Sequence, residues 1–164
     1  ALSKEIGKLF AAGRREEADA AKGRVTLLKE ESKTLEEQLR EAADRMNALE
    51  LPGIKFRPIH LKPFYAFGQG EHLQGVQVHI LDYRKARLSE VQFYILQELA
   101  AMYPDKKAFG PETEKRFDMF DKVCGSNQIR ERFSKNYRFD DIKDYWYKDV
   151  ESFKKLSRKY YLYK

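Results

Sequence analysis

Gln77 and His79 are the side chains whose type and spacing best fit the binding of a polar ligand. They alternate with Val76, Val78 and Ile80 in segment 75–82. This alternation predicts a β-strand with the two polar side chains on one face and the three apolar ones on the other. An amide and an imidazole can both donate and accept hydrogen bonds. The alternative is a histidine that only faces solvent or bonds within the protein.

The sequence contains carboxylates, but no pair of them is clearly placed to hydrolyse a glycosidic bond. Hydrolysis of a glycosidic bond needs two carboxyl groups that flank the bond, about 5–10 Å apart. The available acids are Asp82, Glu90, Asp140 and Asp141. Three of them occupy predicted turn or helix-start positions, where acids are common for structural reasons. The sequence therefore nominates no catalytic residue.

The chain also has no pattern that is typical of a metal or cofactor site. His60, His72 and His79 lack the compact spacing of zinc ligands. The single cysteine, Cys124, allows neither a disulfide framework nor a thiolate metal site. No glycine-rich phosphate loop and no serine–histidine–aspartate arrangement can be placed. We therefore expect no metal site and no cofactor.

A long helix, predicted from about Glu16 to Leu51, organises the rest of the chain. Its seam residues alternate in steps of three and four, which is the spacing of a heptad repeat. They are Ala21, Val25, Leu28, Ser32, Leu35, Leu39, Ala42, Met46 and Leu49. A helix with such a stripe needs a partner along its length.

A short helix over residues 2–11 is the predicted partner, folded back at a tip near Gly13. It ends with Leu2 opposite Leu28, so another element must cover the seam beyond that point. We expect either a homodimer or the C-terminal part of the chain to do so. The residues of the expected dimer contact are Leu35, Leu39 and Ala42.

Residues after the long helix predict a separate domain, because Pro52-Gly53 ends the helix. Three strands are predicted, over residues 54–59, over residues 75–82 and over the tyrosine-rich end, residues 160–163. Four helices are predicted to begin at the capping box Ser89–Gln92 and at Phe117, Asn127 and Asp140. The expected fold class is α+β. An antiparallel helical hairpin continues through the long helix into a small sheet covered by helices.

The formal charge of +6 is concentrated in the second part of the chain. Residues 1–50 hold 10 Lys/Arg and 11 Asp/Glu, whereas residues 51–164 hold 22 and 15. This basic excess permits contact with an anionic partner, but interleaved acids favour an ordinary solvated surface, so we do not expect nucleic-acid binding. No apolar run approaches the ~20 residues that span a bilayer. No secretory signal opens the sequence, and its cellular location stays open.

Three segments of the hairpin have a sequence pattern more specific than a general heptad repeat. They are Leu2-Ser3-Lys4-Glu5-Ile6-Gly7-Lys8-Leu9, Gly13-Arg14-Arg15-Glu16-Glu17-Ala18 and the leucine-rich return from Leu28 to Leu39. With them, residues 1 to about 42 resemble the helical arm of seryl-tRNA synthetases, which contacts the long variable arm of tRNA. The resemblance implies possible phosphate contacts from Lys4, Lys8, Arg14, Arg15 and Lys22. Residues 1–42 hold nine Lys/Arg and nine Asp/Glu, so they carry no basic excess, which favours a charged, solvated helical surface instead.

The C-terminal part carries a second set of segments: residues 52–58, residues 75–82, Met102-Tyr103-Pro104, Phe117-Asp118 and residues 153–163. With them, the chain from about Ala43 onward resembles the C-terminal domain of bacterial exo-β-N-acetylmuramidases. Leu73-Gln74 departs from that pattern, since many members carry Cys-Gly there. In that family a larger N-terminal domain carries the catalytic carboxylate, and the C-terminal domain closes one side of the cleft. The resemblance implies that Gln77, His79 and Tyr65 could contact sugar.

The two resemblances meet inside one predicted helix, between Glu41 and Asp44. We interpret the chain as an engineered helix fusion of a hairpin, residues 1–42, and an α+β domain, residues 43–164, because a continuous helix joins two parts rigidly. A structural role without catalysis is expected, since the catalytic domains of both families are absent, and the chain is expected to be a soluble recombinant protein. The alternatives are binding of N-acetylmuramoyl sugar or residual muramidase activity, and weak RNA contact through the hairpin.

Overall fold

The fold combines seven helices with one small sheet in the part of the chain that the computed structural model describes. That part comprises residues 2–66 and 68–163, with only the backbone described for Leu2 and Ser3. The helices are α1 (Leu2–Ala11), α2 (Arg15–Ala48), α3 (Leu88–Met102), α4 (Phe117–Cys124), α5 (Asn127–Asn136), α6 (Asp140–Tyr147) and α7 (Val150–Ser157). The strands β1 (Ile54–Leu61) and β2 (Leu73–Ile80) pair antiparallel. Single 3₁₀ turns cover Pro111–Arg116 and Arg158–Tyr160. The α+β class is therefore confirmed.

The chain forms two compact units. The first comprises Ala1–Asp44 and Phe56–His79, and the second comprises Arg45–Lys55 and Ile80–Lys164. The division falls within α2, which continues without interruption from Arg15 to Ala48. The boundary between the expected domains, residues 1–42 and residues 43–164, remains a prediction.

The first unit opens with the expected helical hairpin. Its tip is Gly13, whose φ of 74° is a left-handed conformation that glycine adopts at little cost. Ala18 is fully buried, and the Lys22 ammonium lies 4.3 Å from the ring centroid of Phe10 on the other helix. The predicted contact between Leu2 and Leu28 lies outside the described side chains. The hairpin and its tip are therefore confirmed at the level of the elements.

Two of the three residues of the expected dimer contact are already covered within one chain. Leu39 and Ala42 are each 8% exposed, whereas Leu35 is 50% exposed. Burial of Leu39 and Ala42 removes most of the apolar area that a second copy would cover. The homodimer remains a prediction, with Leu35 as its one exposed apolar residue among the three.

The spacing of charged residues on α2 predicts three ion pairs across one helical turn, Lys33–Glu37, Glu36–Arg40 and Glu41–Arg45. Only the first forms in the described residues. Lys33 pairs with Glu37 at 3.8 Å. Arg45 bonds to Glu98 on α3 instead of Glu41, at 3.1 Å. The carboxylate of Glu98 is largely buried, so its attraction for a guanidinium is screened less than that of an exposed acid.

The second unit has an aromatic core built from α3, α5 and the segment that leads into α6. Its buried members are Phe93, Ile129, Phe133, Tyr137, Phe139 and Ile142. The ring of Phe93 stacks on Phe139 with centroids 5.7 Å apart and meets the edge of Trp146 at 5.1 Å. Such aromatic pairs add to the free energy gained by burying their area.

The expected strand at the tyrosine-rich C-terminal end is wrong. The chain forms a 3₁₀ turn at Arg158–Tyr160, and Tyr160, Tyr161, Leu162 and Tyr163 are 65–90% exposed. The Tyr161 amide donates to the Arg158 carbonyl. This local bond satisfies a backbone donor that a strand would need to place on a neighbouring strand.

The start of α3 also differs from the expected capping box at Ser89. The helix begins at Leu88 and has no side-chain cap. Glu90 is instead buried, where its carboxylate accepts hydrogen bonds from the Tyr147 hydroxyl and Arg87. Contacts of this buried acid with Tyr147, 57 residues away, and with neighbouring Arg87 are therefore present at this helix start, where the predicted cap is absent.

The predicted last helix is divided into α6 and α7. A break at Lys148 and Asp149 separates them, and α7 opens with the Ser152 hydroxyl donating to the Asp149 carbonyl. The sequence predicts one inward stripe on this helix, formed by Ile142, Tyr145/Trp146, Val150, Phe153 and Leu156, and the structure interrupts it. Ile142 on α6 is fully buried, whereas Phe153 and Leu156 on α7 are 65% and 56% exposed.

Candidate functional site

A row of three polar side chains lies on the sheet of the first unit. Arg57 on β1 donates from Nε to Gln77 Oε1 on β2, with a distance of 2.9 Å. His79 Nε2 lies 3.1 Å from the same Gln77 oxygen. The alternation of β2 places Gln77 and His79 on one face, as the sequence predicts. We call Arg57, Gln77 and His79 the polar row.

The hydrogen bonds of the polar row determine the roles of its atoms. Arginine has only donors, so the side-chain oxygen of Gln77 must be the atom that faces Arg57. Since that oxygen is an acceptor, His79 Nε2 must be the protonated nitrogen that donates to it. The Gln77 amide nitrogen and the remaining N–H groups of Arg57 are therefore left as donors for a ligand.

The polar face of β2 is more covered than its apolar face. Gln77 and His79 are half-buried, whereas Val78 and Ile80 are 37% and 51% exposed. An antiparallel strand usually places its apolar residues inward. Partial burial restricts the side chains of Gln77 and His79, which reduces the entropy lost when they bind a ligand, whereas Arg57 is exposed.

A cleft of about 480 Å³ lies beside the polar row in the first unit. Helix α2 contributes Glu36, Leu39 and Arg40, and β1 contributes Arg57, Pro58 and His60. We call this the arginine cleft. Its volume is within the range of ligand sites, about 300–1,000 Å³. Arg57 belongs to both features, so the polar row forms part of the cleft wall.

Tyr65, the third predicted sugar contact, does not join the polar row. It lies in the loop between β1 and β2 and is 75% exposed. No hydrogen bond among the described residues links it to Gln77 or His79. The structure therefore brings Gln77 and His79 together and leaves Tyr65 apart.

Arg57 and Arg40 were not among the site residues that the sequence predicts. Arg57 lies 20 residues from Gln77, and only the pairing of β1 with β2 brings them together. Arg40 was expected to pair with Glu36, but in the described part of the chain it forms no ion pair. The alternation of basic and apolar residues at Lys55, Phe56 and Arg57 was the one local signal that Arg57 faces outward.

The four candidate carboxylates have mainly structural roles. Asp82 accepts from the backbone of Arg84 at 3.0 Å, and Glu90 is buried against Tyr147. Asp140 and Asp141 lie in the first turn of α6, where acids favour the helix dipole. These positions agree with the interpretation that the acids stabilise turns and helix starts.

Two of the five basic residues that could contact phosphate, Arg14 and Lys22, have acidic partners within the hairpin. Arg14 pairs with Glu17, and Lys22 lies 3.8 Å from Asp19. Arg15 begins α2 as an exposed residue. Phosphate binding by Arg14 or Lys22 would have to compete with these acids, and RNA contact remains a prediction.

A second cavity, also of about 480 Å³, lies in the second unit beside α6. Its wall includes Ser126, Tyr145 and Lys148, and the Lys148 ammonium lies 4.0 Å from the Tyr145 ring centroid. The hydrogen bond to Ser126 and the proximity of Lys148 lower the pKa of Tyr145 below its ordinary value. In the same cavity, burial and the nearby Asp121 raise the pKa of Cys124.

Residues 2–66 and 68–163 contain neither a cluster of metal-ligating side chains nor a helix suited to cross a membrane. No three His, Cys, Asp or Glu side chains lie close enough there to hold a metal ion. None of the helices in this part of the chain combines the length and apolar composition needed to cross a bilayer.

Comparisons with known proteins agree on one family. A family model described as the C-terminal part of exo-β-N-acetylmuramidase NamZ matches residues 33–163. The peptidoglycan β-N-acetylmuramidase NamZ of Bacillus subtilis (strain 168) is 26% identical over 123 residues, which cover 75% of this chain and 28% of that protein. A crystal structure of a DUF1343 family protein from Bacteroides fragilis NCTC 9343 has 60% identity and a TM-score of 0.73, over 77% of this chain and 33% of that one. The chain thus spans no more than a third of the length of these relatives.

Proposed function

We propose that this chain, which belongs to the family of the C-terminal domain of exo-β-N-acetylmuramidase NamZ, is a non-catalytic domain that binds peptidoglycan sugar. The relative from Bacillus subtilis is named as a peptidoglycan β-N-acetylmuramidase. The chain corresponds to 28% of that relative, so the activity of the whole relative is not carried over to it. Sugar binding is the part of that activity that the described side chains can supply.

The observation that carries the proposal is the polar row. Its central Gln77 oxygen holds Arg57 Nε at 2.9 Å and His79 Nε2 at 3.1 Å. This arrangement leaves several donors at defined positions beside a cleft. A sugar offers hydroxyl and acetamido oxygens as acceptors, and side chains that are already oriented bind such groups with a smaller entropy cost.

The absence of catalysis is proposed because the acids have other roles. A glycosidase needs a proton-donating carboxyl group and a second carboxylate on either side of the bond. Asp82 and Glu90 already accept hydrogen bonds within the protein. Glu36 is the acid that lines the arginine cleft, and a single carboxylate does not make that pair. We expect no release of chromophore from a chromogenic muramide, and measurable turnover would contradict this part of the proposal.

Replacing Gln77 with leucine tests the binding proposal. The Gln77→Leu variant loses the oxygen that orients Arg57 and His79, and one hydrogen bond contributes about 1 kcal/mol, so we expect roughly fivefold weaker binding of N-acetylmuramic acid. Isothermal titration calorimetry measures the affinity.

Gln74→Leu is the matched control. Gln74 is an exposed glutamine on the same strand but on the opposite face. It should bind the sugar as the unaltered protein does. Equal affinities of the Gln77 and Gln74 variants would exclude the polar row as the sugar site.

The hairpin is assigned a structural role within the same proposal. The family match begins at residue 33, and α2 crosses that position as one uninterrupted helix. The family match includes residues 33–42 of the hairpin and so does not support the junction between residues 42 and 43; the proposed fusion of residues 1–42 with residues 43–164 rests on the continuity of α2. A natural gene that encodes the hairpin and the domain with the same junction would contradict the engineered fusion.

A further inference from the structure

We propose that the cavity beside α6 binds a small carboxylate that carries an aromatic or aliphatic group. We call it the tyrosine cavity; Ser126, Tyr145, Trp146, Lys148 and Phe153 are among its lining residues. All of the lining residues belong to the second unit, whereas the polar row belongs to the first. The inference therefore goes beyond the proposed sugar binding and does not depend on it.

The first argument is the apolar part of the cavity wall. Rings and branched aliphatic groups are supplied there by Ile129, Trp146, Val150 and Phe153. Phe153 is 65% exposed, so much of its ring is available to a ligand. The volume of about 480 Å³ lies within the range of small-molecule sites, about 300–1,000 Å³. A ligand with an apolar group would take this surface out of water.

The second argument is the arrangement of two hydroxyl groups in the wall. The Ser126 oxygen accepts a hydrogen bond from the Gln128 amide at 3.1 Å and lies 3.1 Å from the Tyr145 oxygen. The amide supplies its own hydrogen to that bond, so the hydrogen of the Ser126 hydroxyl is free to point toward Tyr145. The Tyr145 hydroxyl then keeps its own hydrogen as a donor for a ligand.

The third argument is the charge around Tyr145. The Lys148 ammonium lies 4.0 Å and the Arg132 guanidinium 4.6 Å from the centroid of its ring. The hydrogen bond with Ser126 and the two nearby cations lower the pKa of Tyr145, so its surroundings favour a negative charge. Asp149 lies 3.9 Å from Lys148 and offsets one cation. Arg132 has no ion pair in the described residues, so a positive excess remains.

A carboxylate with an apolar substituent satisfies both parts of the wall. Its oxygens can accept from the Lys148 ammonium and the Tyr145 hydroxyl, and hydrogen bonds to a charged group are stronger than those between neutral groups. Its apolar group can cover the rings of Trp146 and Phe153. A small inorganic anion would leave these rings in water, and a neutral ligand would leave the positive excess without a partner. The wall therefore favours an apolar acid over either of them.

Two probes with the same apolar group test the inference on the full chain. 3-Phenylpropanoate carries a carboxylate, and 3-phenylpropanamide carries a neutral amide in its place. Trp146 is the single tryptophan and lines the cavity, so its fluorescence measures binding there. At low salt we expect the acid to bind about fivefold more tightly than the amide, with a preference that decreases as salt is added. Equal affinities, or no change in fluorescence with either probe, would overturn the inference.

Acetate serves as a competitor in the same experiment, because it has the carboxylate without the large apolar group. The cavity should retain 3-phenylpropanoate when acetate is present at the same concentration, since the apolar wall adds to the affinity for the larger acid. Displacement by equimolar acetate would show a general anion site and overturn the inference.

Lys148→Gln removes the cation that lines the cavity. It should weaken binding of 3-phenylpropanoate about fivefold and leave binding of 3-phenylpropanamide unchanged. Lys143→Gln is the matched control, because Lys143 is an exposed lysine on α6 outside the cavity lining. Equal effects of the two variants on the affinity for the acid would contradict the assignment.

Phe153→Ala tests the apolar wall. Loss of the ring should weaken binding of both probes about fivefold, because less apolar surface is then covered by the ligand. Leu156→Ala is the matched control, since Leu156 is a 56% exposed apolar residue on α7 that does not line the cavity. Unchanged affinities in Phe153→Ala would mean that the ligand does not contact this wall, and would overturn the inference.

Discussion

At the scale of single residues, one hydrogen-bond acceptor can determine which atoms of the neighbouring side chains act as donors. Gln77 Oε1 receives both Arg57 Nε and His79 Nε2, so the orientation of the amide and the tautomer of the histidine follow from the fact that arginine only donates. The surroundings of Cys124 likewise change the chemistry of a single side chain, here the ionisation of its thiol. Burial and the nearby Asp121 disfavour its thiolate and raise its pKa above the ordinary 9.0.

We predict that Cys124 reacts slowly with iodoacetamide near neutral pH, and that its rate rises with a midpoint above pH 9.0. The folded state disfavours the ionised thiol, so the stability from this site is complete below the ordinary pKa and is lost as the pH rises through the raised one. The pH profile of the alkylation rate measures the midpoint. The urea-unfolded chain is the control, and an equal midpoint in both states would refute the prediction.

At the scale of elements, turns between helices and strands depend on close backbone contacts. Gly53 lies between α2 and β1 with a φ of 70°, and its carbonyl accepts from the amides of Leu81 and Asp82 at 2.8 and 3.2 Å. A Cβ atom at this position would lie 2.3 Å from the Asp82 carbonyl oxygen. Glycine is therefore required here by both backbone conformation and space.

We predict that Gly53→Ala lowers the free energy of unfolding by more than about 2 kcal/mol, because the left-handed conformation costs about 1–2 kcal/mol and the contact with Asp82 adds to it. Gly70→Ala is the control, since Gly70 has a φ of 78° but no atom within 4 Å of the added Cβ. Its loss should be limited to about 1–2 kcal/mol. Urea denaturation measures both, and equal losses would refute the role of the Asp82 contact.

The elements also show what local sequence can predict. The hairpin tip at Gly13, the end of α4 at Gly125 and the alternation of β2 follow from glycine conformation and from short-range periodicity. The missed features depend on distant partners. Glu90 is held by Tyr147, which is 57 residues away, and this contact replaced the predicted cap at Ser89.

At the scale of the whole molecule, the hairpin and the second unit differ in the size of the side chains that they bury. The hairpin of the first unit buries small side chains such as Ala18, whereas the second unit buries rings such as Phe93, Phe133 and Phe139. Burial of a large aromatic side chain contributes several times the free energy of burying an alanine. The single tryptophan, Trp146, contacts the aromatic core and reports on the second unit.

We predict that Phe133→Ala destabilises the second unit by about 3–5 kcal/mol, because Phe133 is fully buried and its removal leaves a cavity. The transition measured by Trp146 fluorescence should move to lower urea concentration. Phe64→Ala is the control, since Phe64 is 88% exposed and its loss should change stability by less than about 0.5 kcal/mol. Similar shifts for the two variants would exclude Phe133 from the core.

By itself, the sequence determined the helical hairpin, the long helix, both strands of the sheet and the family resemblance of the C-terminal part. These features depend on residue type and on spacings of a few positions, which act through the local backbone. Only the tertiary structure decided that Arg57 meets Gln77, that Arg40 and His60 line one cleft, and that Tyr160–Tyr163 pairs with no strand. Those outcomes depend on which segments approach one another, and the energy of such contacts is absent from any short stretch of chain.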